Sequence, residues 1–396
     1  MYVNSTSCVG IYVVPDTTKQ TTYIGKEAND KGTSFDDTAV VYSKSQMTTT
    51  DGTVSVKGVS SDATTSTYAV SSTATTSTTT DYLKSLGTPT VNEVQLQLTS
   101  MGYYSGAING KTENKDFTEA VKKFQKDNNL DQTGIVNETT YNKIIGVGKT
   151  IQSELSQLGF YKGNIDGKLT RTDVKESIKY FQEVYGLSKS GTANALTRNK
   201  LKAANSEFRG CMTNSKLITW MMQKGLMKVG DSQSLTNFAQ IWSFLKVGMG
   251  LGDRSASGVM GNIMQESQFS PTNAVESCYP GKDNPEYVYK TDDRIAYGII
   301  QWCEASRKEG LAAKVAELNN EMKTFDVSVS DMNVQLAYFR KEMNTDCSKS
   351  WNTIKNSNDI TTSTKVFCNE IEMPNASEAH LDLRLSYANE IYNIMA

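Results

Sequence analysis

The chain has 396 residues, too long for one ordinary hydrophobic core, and about two to four domains are expected. A formal net charge of −2 gives no electrostatic basis for binding nucleic acid or an anionic membrane, and no run approaches the roughly 18 apolar residues of a membrane span. The lone histidine, His380, argues against zinc amidases and metallopeptidases, which use two or three imidazoles, and against Cys–His peptidases.

His380 itself reads as a surface or helix-packing residue. Carboxylate chemistry is what remains. No Asp-x-Asp-x-Asp cage occurs, so neither a metal nor a cofactor is expected. The six cysteines (Cys8, Cys211, Cys278, Cys303, Cys347 and Cys368) have no C-x-x-C spacing, which disfavours a zinc knuckle and leaves free thiols and one or two disulfides both open. Met1 to Ser7 lacks a charged region followed by an apolar one, so no secretory signal is expected.

Residues 1–58 contain short β-like runs, Val9 to Val14 and Thr38 to Tyr42, separated by polar turn residues, and read as a β-leaning attachment segment. Residues 59–88 are dominated by Ser, Thr and Ala and read as a linker, because such a stretch buries too little apolar area to offset its ordering entropy.

An internal repeat follows. Gly102, Gly106 and Gly110 recur 57 residues later as Gly159, Gly163 and Gly167, as do Phe124-Gln125 (Phe181-Gln182), Leu130 (Leu187) and Gly134 (Gly191). In the first unit, 89–147, Val94, Leu98 and Met101 share one helical face, and Phe117, Ala120, Val121 and Phe124 another. In the second, 148–204, Ile151, Leu155 and Leu158 match the first face, and Val174, Ile178 and Phe181 the second. Glycine-rich loops carrying Tyr103, Tyr104 and Asn109, and Phe160, Tyr161 and Asp166, join the helices.

This pattern resembles the three-helix peptidoglycan-binding domain of cell-wall hydrolases. The resemblance implies that these six loop residues contact wall polymer, with two copies adding avidity; structural spacers are the alternative. The second unit departs from the family pattern at Ser177, where Ala is usual, and at Ser190, where Thr is usual.

From Cys211 onward methionine, tryptophan and helical periodicity increase. Thr213 to Lys228 and Leu235 to Val247 read as apolar helices. Ser255 or Ser257 is the expected N-cap of a third, on which Val259, Ile263 and Glu266 share a face. A carboxyl extending an apolar stripe at a helix C-terminus is disfavoured in its charged form by burial and by the dipole, which suits the acid of glycosidic cleavage. An exposed Glu in a last helical turn is the plainer reading on spacing alone.

The downstream segments decide between them. Glu266-Ser-Gln-Phe-Ser-Pro, then Tyr297-Gly-Ile-Ile-Gln-Trp, Gln335-Leu-x-Tyr-Phe and Phe367 to Pro374 together resemble the lysozyme-like superfamily, and phage tail lysozymes above all, over about residues 212–395. The resemblance implies that Glu266 is the general acid. Ser267, Tyr297, Gly298 and Gln301 would line the sugar cleft, and Trp302 would pack beneath it or stack on a sugar. Asp292 or Asp293 would be the second carboxylate, with Glu276, Glu286 and Glu304 as competitors, while Asp283 to Glu286 reads as a surface loop.

The expected fold is mainly α: two small three-helix wall-binding modules and a lysozyme-like domain, 211–396, behind the irregular or β-leaning N-terminal segment. The expected function is cleavage of the β-1,4 bond between N-acetylmuramic acid and N-acetylglucosamine. Lytic transglycosylation and a non-catalytic wall-binding virion role are the alternatives, and an amidase or peptidase is disfavoured by the single histidine. The expected partner is bacterial peptidoglycan, with phage tail proteins reached through residues 1–58, and neither nucleic acid nor membrane. The expected setting is a phage virion or the host cell wall.

Overall fold

The computed structural model describes the strands within 11–56, and residues 82–275, 287–375 and 379–396. The chain divides into two compact units, 1–79 and 80–396. In the first, β1 (Ile11–Val14), β2 (Thr21–Ile24) and β3 (Val40–Ser43) form an antiparallel sheet in that order. There β4 (Met47–Thr50) pairs with β5 (Thr53–Val56). The sequence between those two strands is Asp51-Gly52, a favoured two-residue hairpin connection.

The second unit is helical. The expected linker of 59–88 reaches the described residues only at its end, and there it is helix: α1 (Tyr82–Leu86) buries Leu83 completely. The first repeat then uses α2 (Thr88–Ser100), α3 (Lys115–Asp127) and α4 (Glu138–Gln157); the second shares α4 and adds α5 (Thr172–Val184) and α6 (Ala195–Thr213). Asn114, Asn137 and Asn194 cap α3, α4 and α6, accepting from Asp116, Thr140 and Thr197 amides.

The recurring glutamine is a buried tether. Gln125 Nε2 donates to Thr133 and Thr140 hydroxyls and its Oε1 accepts from Gly134; Gln182 does the same with Ser190, Thr197 and Gly191. Ser190 therefore accepts from the tether glutamine as Thr133 does. The 147/148 boundary lies inside one continuous helix, and α6 runs on past 204, so the repeats and the following helices are joined by rigid segments.

Beyond Asn214, the cap of the next helix, come α7 (Ser215–Gln223) and α8 (Gln233–Ser243), which continues into a π-helical turn, Phe244–Gly248. Next are α9 (Asp253–Ser267) and the short hairpin of β6 (Ala274–Val275) with β7 (Ala296–Tyr297). Then follow α10 (Ala305–Glu321), α11 (Met332–Asn344), α12 (Ser348–Asn356), α13 (Ile360–Val366) with a π-helical turn Phe367–Glu372, and α14 (Leu381–Met395).

The cap expected at Ser255 or Ser257 is instead Gly252, because the helix starts two residues before Ser255, with Asp253 in its first turn, ion-paired to Lys246. Both serines are buried, and Ser255 Oγ donates to the Ser357 carbonyl at 2.8 Å. From Ser255 to Met264 every residue of α9 is buried, as expected of a helix enclosed on all sides. Gly261 permits that enclosure: a Cβ there would meet the Arg384 carbonyl and Ala388 of α14. Cys211, Cys303, Cys347 and Cys368 are free thiols, and Cys8 and Cys278 lie outside the described residues.

The second repeat is welded to the helices that follow. Glu176 accepts from the Lys323 and Thr324 amides at 3.0 Å, Lys314 pairs with Glu183 at 3.0 Å, and the Leu158 carbonyl accepts from Gln240 and Asn333.

Candidate active site

Glu266 is the penultimate residue of helix α9. Its carboxyl is 19% exposed and forms an ion pair with Arg384 of α14, whose guanidinium also binds Glu372 at 2.5 Å and Asn262 Oδ1 at 3.1 Å. The setting is thus ionic, where the sequence predicted an apolar stripe. Arg384, Ala388 and Ile391 lie at i, i+4 and i+7 on the buried face of α14, so the arginine occupies a core position and its charge is offset by the two acids.

Glu372 ends the π-helical turn and is 3% exposed, and its Oε1 has no hydrogen-bond partner among the described residues. Burial pushes its carboxyl well above the ordinary range, the neighbouring Glu266 charge adds to this, and Arg384 opposes it.

The segment after the hairpin is brought alongside. Tyr297 and Trp302 exchange backbone hydrogen bonds (3.1 and 2.9 Å), closing a loop in which Gly298 (φ 81) and Gln301 (φ 53) take left-handed conformations. Ser267 Oγ donates to the Ile299 carbonyl at 2.9 Å, tying this loop to the residue after Glu266. Asn273 Nδ2 donates to the Glu266 carbonyl, and Gln301 Nε2 to the Asn273 and Gly298 carbonyls. Gln301 Oε1 and Asn273 Oδ1 are buried with no hydrogen-bond partner among the described residues. Gln335 clamps the site from α11, accepting from the Ile299 amide and donating to the Pro271 carbonyl at 2.6 Å. Glu266, Ser267, Tyr297, Gly298 and Gln301 therefore share one neighbourhood.

Other expectations require correction. Trp302 is fully buried, donates to Glu342 at 3.1 Å and stacks obliquely on Tyr338, so it supports the loop and cannot face a sugar. Asp293 is saturated by the buried Lys308, the Tyr287 hydroxyl (2.7 Å) and the Ile295 amide. Burial opposes its ionisation, but the bonds to Lys308 and Tyr287 outweigh that and hold the carboxyl below the usual range. With its oxygens so engaged it is poorly placed to activate water. Asp292 and Glu304 are exposed, and Glu276, Asp283 and Glu286 lie outside the described residues.

The aromatic side chains of the wall-binding loops are corrected in the same way. Tyr104 and Tyr161 are buried and their hydroxyls donate to Ala107 and Asn164 carbonyls; Phe160 is buried among Tyr180, Phe181 and Tyr185. Tyr103 lies under Arg198 of the second repeat (4.7 Å from its ring) and accepts from it at 2.8 Å. Asn109 and Asp166 accept from Gln95 and Gln152 and from the Lys111 and Lys168 amides. These side chains fold the loops and join the repeats.

The sequence reading missed Arg384 and assigned no role to Glu372, though Glu372 stands inside the Phe367 to Pro374 segment it singled out. An arginine at a core position of an amphipathic face was the available signal.

Residues 236–395 match the phage tail lysozyme family, and residues 87–144 and 149–201 each match the peptidoglycan binding domain family. No curated protein and no solved structure matches the chain. The chain carries a phage tail lysozyme domain preceded by two peptidoglycan-binding domains, the architecture of a lysozyme-like protein that acts on peptidoglycan.

Proposed function

We propose that this protein is a glycoside hydrolase that cleaves the β-1,4 bond between N-acetylmuramic acid and N-acetylglucosamine, with Glu266 as general acid. The observation that carries this reading is the partly exposed Glu266 carboxyl at the end of α9, beside the Tyr297–Trp302 loop and within the lysozyme-family domain. Cleavage needs a proton on the departing oxygen. Glu266, Glu372 and Arg384 carry a net negative charge with both acids ionised, and none when the pair keeps one proton. Burial raises the Glu372 carboxyl, so a protonated acid shares the Arg384 guanidinium with the exposed Glu266.

Lytic transglycosylation is a second reading, supported by the engagement of Asp293 with Lys308, because that reaction uses the substrate's own hydroxyl and needs no second carboxylate. We assign the protein to a phage virion or the host wall, with residues 1–58 as the attachment to tail proteins. Among the described residues no helix is long and apolar enough to cross a membrane.

The test is digestion of purified peptidoglycan by the wild-type chain and Glu266→Gln, with the muropeptides read by mass spectrometry. The expected products are new reducing sugars from the wild type, and a rate at least about 100-fold lower in the variant. Full clearing by Glu266→Gln refutes the assignment, and 1,6-anhydro ends convert it to the transglycosylase reading.

A further inference from the structure

A cavity of about 650 Å³ lies between the second repeat and the lysozyme-family domain. One wall is a face of α5, with Asp173, Ser177 and Tyr180 at i, i+4 and i+7; the other includes Gln233 and Asn237 of α8, and Phe325. Pro271, five residues after Glu266, also lines it. Its size suits a ligand of one or two sugar rings.

Two buried hydroxyls on that wall have no hydrogen-bond partner among the described residues. Ser177 is 0% and Tyr180 4% exposed, and neither Ser177 Oγ nor Tyr180 Oη is bonded among the described residues. An unpaired buried hydroxyl costs stability that a purely structural role does not recover.

The internal repeat sharpens this point. The positions 57 residues earlier hold Ala120 and Lys123, whereas the neighbouring Glu176 and Phe181 keep their counterparts Glu119 and Phe124. The second repeat thus departs from the first at both orphan hydroxyls, on the wall that faces the cavity.

We propose that this cavity is a second glycan-binding site, built jointly by the second repeat and the catalytic domain, that takes an uncharged N-acetylated saccharide of the wall polymer. This rests on the reading of peptidoglycan as the substrate. The chemistry of the walls selects the ligand. Hydroxyls and amides both donate and accept, as sugar hydroxyls and acetamido groups require. Tyr180 and Phe325, with ring centroids 6.4 Å apart, add aromatic surface for sugar C–H faces. Among the described lining residues Lys162 is the lone cation, which disfavours an anionic ligand. Asp173 is paired with Arg171 at 2.8 Å, and Asp326 and Asp331 outnumber the single lysine, which further disfavours an anionic ligand. Because Glu176 and Lys314 weld the two walls together, a strand held here is delivered at a set distance from Glu266.

The test is calorimetric titration of tetra-N-acetylchitotetraose into the full chain carrying Glu266→Gln, and into the same chain with Ser177→Ala and Tyr180→Phe added. The expected result is more than one saccharide per chain in the first. In the second, one binding component is weakened about tenfold or more, with the ligand-free melting temperature unchanged or raised. Binding that the added pair leaves unaltered overturns the proposal. So does a sugar-free stem pentapeptide that binds in a pair-sensitive manner while the saccharide does not. Wall cleavage is measured separately on the single Glu266→Gln variant, so failure of the hydrolase reading and failure of this site are distinguishable.

Discussion

Replacing Arg384 by methionine keeps the length and apolar contacts of the side chain but removes the cation that Glu266 and Glu372 share. One carboxylate is then stranded, and breaking a buried pair in this way costs about 3–5 kcal/mol. Proton uptake limits the electrostatic part. Taking a proton at pH 7 against an unfolded value of about 4.3 costs about 3.7 kcal/mol, and the partial exposure of Glu266 lowers this to about 2–3 kcal/mol. At pH 5 the same limit is about 1 kcal/mol. The lost bonds to the Asn262 side chain and the Ala379 carbonyl add about 1 kcal/mol at either pH.

The sign follows from linkage. The variant's folded state binds an extra proton relative to its unfolded chain, so its deficit grows as pH rises through the window between the unfolded and folded values. Urea unfolding followed by tryptophan fluorescence at pH 5 and pH 7 should show Arg384→Met about 2 kcal/mol more destabilised at pH 7 than at pH 5. Adding Glu372→Gln should restore most of that difference. A deficit equal at both pH values would mean that no uncompensated carboxylate is left behind, and the three-residue cluster would lose its electrostatic meaning.

Two further predictions bear on the acids. Glu372→Gln takes away the buried acid that shares Arg384 with Glu266, so the alkaline limb of the pH–rate profile should move to lower pH; an unmoved limb would deny Glu372 any part in the proton supply. Asp293→Asn should cost about 3 kcal/mol, because the buried Lys308 loses its carboxylate, while the rate per folded molecule changes less than about tenfold. The stability lost in that variant is a contribution present above the unfolded aspartate value and lost as pH falls, since the native carboxyl is held low. A 1000-fold fall in rate with the fold intact would return Asp293 to the role of second carboxylate.

Much of the helical organisation was legible because it is written locally. The repeated faces Val94-Leu98-Met101 and Ile151-Leu155-Leu158 are buried as their spacing requires. The repeated Gln125 and Gln182 were visible as a pattern, but their function as tethers was not, since each one's partners lie 8 to 15 residues away in a loop and the next helix. The loop aromatics misled for a related reason. Tyr104 and Tyr161 look like surface binding groups in a glycine-rich loop, yet each turns inward to donate to a carbonyl three residues on.

The sequence alone determined the mainly helical class, the twofold repeat and the helix bearing Glu266, since these rest on periodicity and spacing within short windows, and its resemblance to lysozyme-like proteins singled out the segment from Tyr297 to Trp302. Tertiary structure alone decided which charges meet. Arg384 reaches Glu266 across 118 residues and Glu372 across 12, and Lys308 engages Asp293, because helix packing brings these groups together. An ion pair between distant helices leaves no periodic trace along the chain. Its partners are set by the close approach that small residues such as Gly261 allow, and that approach exists only once the core has formed.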